Sequence, residues 1–215
     1  MSFAVAQPGF AQLSVLAHPL AADAVARMRD AGSDREAFAL ALEQLSCFLA
    51  AEATRGLAAR TVEVTTPMET VGQRVLAQDV VVVPILRAGL ALVEGFQRLV
   101  PGATVCHLGV ARNEETLQPE AYLNRLVPLE NQRVVVVDPM LATGGSASWA
   151  IHRCQEQGAR EIQFCCALAA PEGVRRLERD HPEVPVIAAA LDRELNSQGF
   201  ILPGLGDAGD RYFGT

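Results

Sequence analysis

The sequence predicts an α/β fold built on a parallel sheet with helices packed against it. Two runs of four consecutive valines, residues 80–83 and 134–137, have the composition and length of strands buried on both faces. Each run ends in a short loop of small residues, after which apolar residues recur at helical spacing. Further strand-like runs at 163–170 and 184–191 are separated by a helix that opens at Pro171-Glu172, so strands and helices alternate.

The 215 residues, half of them hydrophobic, are enough for one core and fit a single domain over 1–215. The net charge of -7 and the lack of a basic run argue against a nucleic-acid or acidic-membrane binder. No apolar run reaches membrane-spanning length and no secretory signal is read, so the expected compartment is cytoplasmic. Cys47, Cys106, Cys154, Cys165 and Cys166 lack a CxxC spacing and read as reduced core thiols, with adjacent Cys165 and Cys166 on opposite faces of a strand.

Residues 1–20, with His18-Pro19-Leu20, read as irregular. A helix is predicted over about 21–30, and Ser33-Asp34-Arg35-Glu36 resembles a capping box for the next helix. Phe38, Leu42, Leu45 and Leu49 give that helix an apolar stripe. A short strand follows at 61–65. The strand through 80–86 leads to Arg87-Ala88-Gly89 and a helix over about 90–99. Arg87 at the carboxyl edge of a parallel sheet suits a diphosphate, because its planar fork donates two hydrogen bonds at once; the alternative is a surface arginine at a strand end. A third strand covers 104–110, and the polar stretch from Ala111 to about Leu126 reads as a lid-like loop, with Arg112 a candidate second clamp and Glu114 and Glu115 either solvated or setting the loop by pairing with arginines.

The most informative stretch is Asp138-Pro139-Met140-Leu141-Ala142-Thr143-Gly144-Gly145-Ser146. Ala147, Ala150, Ile151 and Cys154 then mark a helix that Gly158 stops. Unpaired N–H groups and the positive dipole end at the helix start favour a phosphate, the glycines let backbone approach it, and Thr143 and Ser146 add hydroxyl donors. A tight turn with no ligand is the plainer alternative. The Gly-Lys-Ser/Thr of a nucleoside-triphosphatase loop is missing. Asp138, at the carboxyl end of its strand, is placed to accept from ribose hydroxyls, so the pair suits a sugar phosphate.

Near the carboxyl end, Gly204-x-Gly206-x-x-Gly209 nominally matches a dinucleotide fingerprint, but the required strand–helix–strand context and a following helix pattern are absent. Such a loop instead offers backbone N–H and C=O groups to a flat polar ligand, or packs on the body. Asp207 and Asp210 add carboxylates. The four histidines, His18, His107, His152 and His181, have no metal-ligand spacing and read as structural or surface residues. No serine lies in a G-x-S-x-G elbow.

Taken together, Pro84–Leu90, Arg112–Leu117, Asp138–Ser146, Ala170–Gly173 and Ile201–Thr215 resemble the uracil phosphoribosyltransferase family, with His18-Pro19-Leu20 and Glu52-Ala-Thr54 in support. The resemblance implies a type I phosphoribosyltransferase fold: a parallel β-sheet flanked by helices, with a small hood built largely from the C-terminal segment. It implies conversion of uracil and 5-phosphoribosyl 1-diphosphate (PRPP) to uridine 5'-monophosphate (UMP) and diphosphate, with Mg2+ carried on PRPP. By resemblance, Asp138, Pro139, Met140, Leu141, Ala142, Thr143, Gly144, Gly145 and Ser146 bind PRPP, Arg87 and Arg112 hold its diphosphate, and Asp207 meets it too. Ile201, Gly206, Asp207 and Ala208 hold uracil, largely by backbone. Asp138, Asp207 and Arg112 are the expected catalytic residues. Pro139 stands where many relatives of this fold carry a second acid, and Asp207 is expected to replace part of that charge. A homo-oligomer, dimer or higher, and GTP as an effector are further implications of the family. Phe200, Ala51 and Ala39 depart from its pattern, standing where tyrosine, tyrosine and arginine are expected.

Overall fold

The computed structural model describes residues 2–112 and 119–215, with only the backbone for 111, 112, 119 and 120. Expectations for Glu114 and Glu115, and for the Arg112 side chain, lie outside the described residues.

The stretch 1–20 is more ordered than its sequence suggests. It forms β1 (Ala4–Ala6) and β2 (Leu13–Leu16), an antiparallel pair at one edge of the sheet. Strands this short, with only Leu13 and Leu16 buried, carry no period to read. Helix α1 (Pro19–Arg29) starts one residue after His18, whose Nδ1 accepts from the Leu20 N–H at 3.2 Å. Helix α2 (Arg35–Ala53) is capped by Asp34, which accepts from the Ala37 N–H at 2.8 Å. The expected capping box is therefore one residue out of register, and Ser33 instead donates to the Arg27 carbonyl. Strand β3 (Ala59–Thr65) pairs with β4 (Thr70–Leu76), which the sequence reading missed, in a separate two-stranded hairpin.

Strand β5 (Val80–Leu86) and helix α3 (Leu90–Leu99) lie where expected. The third predicted strand is divided into β6 (Thr104–Val105) and β7 (Leu108–Arg112). Part of the expected loop is strand β8 (Pro119–Asn124), antiparallel to β7. An edge partner for one strand needs backbone pairing more than apolar content, which explains its polar sequence. Strand β9 (Arg133–Val137) follows. Past Asp138 and Pro139 the chain rejoins the sheet as β10 (Met140–Leu141), beside β11 (Glu161–Ala169), with helix α4 (Gly145–Glu156) between them. Helix α5 (Pro171–Asp180) and strand β12 (Val186–Leu191) complete the main body. The C-terminal segment forms a small hairpin, β13 (Glu194–Leu195) with β14 (Ile201–Leu202), and then α6 (Ala208–Phe213). That last helix is a correction: the glycine-rich tail does turn helical, for six residues, without creating a dinucleotide-binding unit.

The main sheet runs β1-β2-β12-β11-β9-β5-β7-β8, parallel from β2 to β7. The valine runs alternate between its two faces. Val80, Val82, Val135 and Val137 pack with α1, α2, α3 and α6, whereas Val81, Val83, Val134 and Val136 pack with α4 and α5. Cys165 and Cys166 divide the same way. All five cysteines are free thiols, and burial pushes Cys154 up to about 12 and raises Cys165 and Cys166 as well, so these three are inert packing groups.

After β5 the chain moves outward to β7; after β9 it moves the other way, to β11. The adjacent carboxyl ends of β5 and β9 therefore form a topological switch point, where open α/β sheets leave a crevice. The hood covers that crevice.

Candidate active site

Two strand ends and the hood surround a cleft of about 260 Å³. Ala88 follows β5. Asp138, Met140 and Ala142 follow β9. The hood supplies Gly199, Phe200, Ile201, Gly206, Asp207, Ala208 and Gly209. A smaller hollow of about 90 Å³ continues from Asp138 along Met140 to Ala147. The two share Asp138, Met140 and Ala142, so the predicted phosphate cradle and the predicted base loop open onto one space.

The cradle has the backbone its sequence demands. Gly144 is the N-cap of α4 at φ +75°, where a side chain would be strained. Thr143 and Ser146 are exposed, and the first turn of α4, Gly145 to Ala147, lines the hollow, where N–H groups at a helix start have no partner within the helix. Gly173, in α5, lets this loop lie close: a Cβ there would come 2.5 Å from the Ala142 carbonyl oxygen and 2.7 Å from that of Leu141. Gly89 does the same beneath Arg87, where a Cβ would meet the Val137 carbonyl at 2.5 Å. Pro139 lines neither space. It is buried, and its carbonyl accepts from the Ala167 and Leu168 N–H groups, so its contribution is to splice β9 to β10.

Asp138 is half-buried, with one oxygen 3.4 Å from the Met140 N–H. Burial pushes its pKa up to about 7; the weak backbone hydrogen bond opposes this, and the Asp207 charge adds to it. Asp207 is exposed and caps α6, its Oδ1 accepting from the Asp210 N–H at 2.9 Å. Arg87 stands at the rim rather than in either cavity. It lies 3.6 Å from Asp210 and its guanidinium is 5.7 Å from the centre of the Phe213 ring. Arg112 ends β7, with its backbone in register with Pro119. Ala88, Gly199 and Gly209 also line the cleft, although sequence alone assigns them no site role. Ala88 and Gly209 belong to quoted motifs, but their role as small walls emerges only from packing, since a Cβ on Gly209 would lie 3.6 Å from that of Ala88.

Ser148, Asp180 and His181 meet at 3.0–3.1 Å outside this cleft. His181 Nε2 lies 3.0 Å from the Ser148 carbonyl oxygen and so donates there, while the Ser148 hydroxyl faces the Asp180 carboxylate. The group ties α4 to α5 and is not a nucleophile–base pair. Among the described residues, no group of three or more His, Cys, Asp or Glu is placed to hold a metal ion, and no helix is long and apolar enough to cross a membrane.

This sheet, switch-point cleft and C-terminal hood are those of a type I phosphoribosyltransferase. A solved hypoxanthine-guanine phosphoribosyltransferase from Bacillus anthracis shares the fold at TM-score 0.51 and 14% identity, over 72% of this chain and 79% of that one. A much nearer likeness is the solved structure of a protein from Aquifex aeolicus, with TM-score 0.89 and 38% identity over 94% of this chain and 97% of that one. The family model described as uracil phosphoribosyltransferase matches residues 15–215. A uracil phosphoribosyltransferase of Salinibacter ruber is 46% identical over 204 residues, 94% of this chain and 97% of the relative. The chain belongs to the uracil phosphoribosyltransferase family and is a pentosyltransferase.

Proposed function

We propose that this enzyme converts uracil and PRPP to UMP and diphosphate in the cleft under the hood, within a single catalytic domain spanning 1–215. One observation carries the reading: a phosphate-type cradle and a backbone-lined hood share one space, with Asp138 at their junction. The cradle N–H groups and the Thr143 and Ser146 hydroxyls hold the 5-phosphate. Asp138 accepts from the ribose hydroxyls. Ile201, Gly206 and Ala208 read uracil through their backbone, and Arg87 and Arg112 hold the diphosphate.

As the ribose C1–O bond breaks and C1–N1 forms, positive charge grows on the ribose and negative charge on the leaving diphosphate. Asp138 and Asp207 suit the first role by their charge, Arg87 and Arg112 the second. Magnesium would be carried on PRPP's own oxygens, and the exposed carboxylate of Asp207, which lines the cleft, would be the protein group available to it. Bound magnesium supplies charge neutralisation at the diphosphate. Cytosine reverses the donor and acceptor pattern at N3 and position 4, leaving fixed backbone groups unpaired, so it is rejected.

Self-association to a dimer or higher belongs to the same proposal. The β3–β4 hairpin stands apart from the main sheet with Met68 91% exposed, and isolated two-stranded hairpins are marginal in water. A cytoplasmic location, read from the sequence, and a response to GTP, implied by the family resemblance, belong to the same proposal. The test is turnover of uracil, cytosine and hypoxanthine with PRPP and magnesium, with and without GTP. Uracil alone should give product; a preference for another base would replace the reading.

A further inference from the structure

The hood reaches the cleft through a turn that contributes no side chain to it at Gly204. Gly204 follows the cis Leu202–Pro203 pair and has φ +64°, and a Cβ there would lie 2.1 Å from the Ile201 carbonyl oxygen. What fixes this residue comes from two distant parts of the chain. Asp192, at the end of β12, accepts from the Gly204 N–H at 2.9 Å. Arg29, in the last turn of α1, donates to the Gly204 carbonyl at 2.9 Å and to Asp192 Oδ2 at 2.8 Å, while its other terminal nitrogen bonds Asp192 Oδ1. Both backbone groups of one residue are thus gripped by one ion pair. The Asp192 side chain is 3% exposed, and its own N–H donates to the Ala169 carbonyl at 2.8 Å, which anchors the pair to the end of β11.

Neither Arg29 nor Asp192 lines the cleft. Gly204, however, lies between the two segments of the hood that do: Ile201 three residues before it and Gly206–Ala208 just after. We infer that the Arg29–Asp192 pair positions the base-reading backbone of the hood and thereby sets affinity and selectivity for the nucleobase, without touching it. The inference rests on the proposed uracil site. Nearby, Arg211 fastens the following residue, donating to the Leu205 carbonyl at 3.0 Å and to the Met28 carbonyl. The last turn of α1 is therefore joined to the hood on both sides of the Gly204–Leu205 peptide. A displacement of about an ångström at reading groups can cost on the order of a hundredfold, whereas the cradle and Asp138 lie on other elements and are not held by this pair.

The test is steady-state kinetics of the full-length enzyme on uracil, cytosine and PRPP, well below its melting temperature. Arg29→Lys keeps the charge but replaces the planar fork, whose two terminal nitrogens reach both Asp192 oxygens and the Gly204 carbonyl, with a single ammonium nitrogen. It should raise KM for uracil about tenfold, leave KM for PRPP within about twofold, and narrow the preference for uracil over cytosine. Asp192→Asn keeps an acceptor for Gly204 and should give the same split, more weakly. Because either change could impair folding, the paired substitution Arg29→Met with Asp192→Leu, which leaves no buried charge alone, is the second arm; it should fold and show the same uracil-specific rise. Unchanged constants in folded variants, or equal rises in both KM values, would overturn the inference and leave a merely structural pair. Wild-type enzyme without uracil turnover would overturn the site reading beneath it.

Discussion

Replacing Asp138 by asparagine should separate stability from activity. Burial holds the Asp138 carboxyl at about 7 rather than an ordinary 3.8. The folded state therefore binds more protons than the unfolded state between those values, and this group's contribution to stability declines as pH rises from about 4 to about 7. A shift of about three pKa units corresponds to about 4 kcal/mol. Asp138 is only half-buried and the cleft admits water, so about 2 kcal/mol is the expected size. Asparagine keeps an oxygen for the Met140 N–H and removes the charge. At pH 8, Asp138→Asn should be more stable by about 2 kcal/mol, which for a chain of this length is a rise in Tm of roughly 4–8 °C. At pH 4 the two proteins should be alike. The same substitution should lower kcat/KM for PRPP about a hundredfold or more, because a charged acceptor for the ribose hydroxyls is lost. In the wild type, kcat/KM for PRPP should rise with pH and level off above about 7, and that limb should vanish in the variant. Thermal unfolding across pH 4–9 and initial rates across pH 5–9 read both effects. A variant less stable than wild type at pH 8, or a flat wild-type profile, would refute the burial argument.

Other substitutions bear on separate parts of the account. Gly173→Ala would press a methyl against two backbone carbonyls of the cradle loop, and should cost roughly 2–4 kcal/mol in denaturant unfolding and weaken PRPP binding. Asp34→Ala removes the α2 cap and should cost about 1 kcal/mol with catalytic constants unchanged, as measured by urea titration and rates. Asp207→Asn should lower turnover and PRPP affinity together by about tenfold or more, since it removes the second carboxylate at the ribose; unaltered kinetics would show that Asp207 does not replace the acid missing at Pro139.

Much of the cleft's lining was legible because its signals are local. Valine runs mark strands buried on both faces, and glycines with hydroxyl residues mark the loop and helix start that line the smaller hollow. Where the signal is not local, the reading failed. Strand β4 contains Gly72, Gln73 and Arg74 and buries neither face, so it has no apolar alternation to find. Strands β1, β2 and β8 exist because a sheet edge offers them partners. Helix α6 carries Gly209, a poor helix former, in its first turn and is only six residues long; a cap from Asp207 and packing against α2 make it helical. Arg29 and Asp192 are 163 residues apart, and nothing around either residue announces that they hold one glycine of the hood. The rim position of Arg87 and the splicing role of Pro139 likewise depend on tertiary geometry.

The most direct measurement is a crystal structure of the enzyme with UMP. The account predicts the 5'-phosphate on the N–H groups and hydroxyls of 143–146, both ribose hydroxyls at Asp138, and the uracil ring against the backbone of Ile201 and 206–208. A nucleotide bound with its phosphate outside the cradle, or with its base away from the hood, would contradict it.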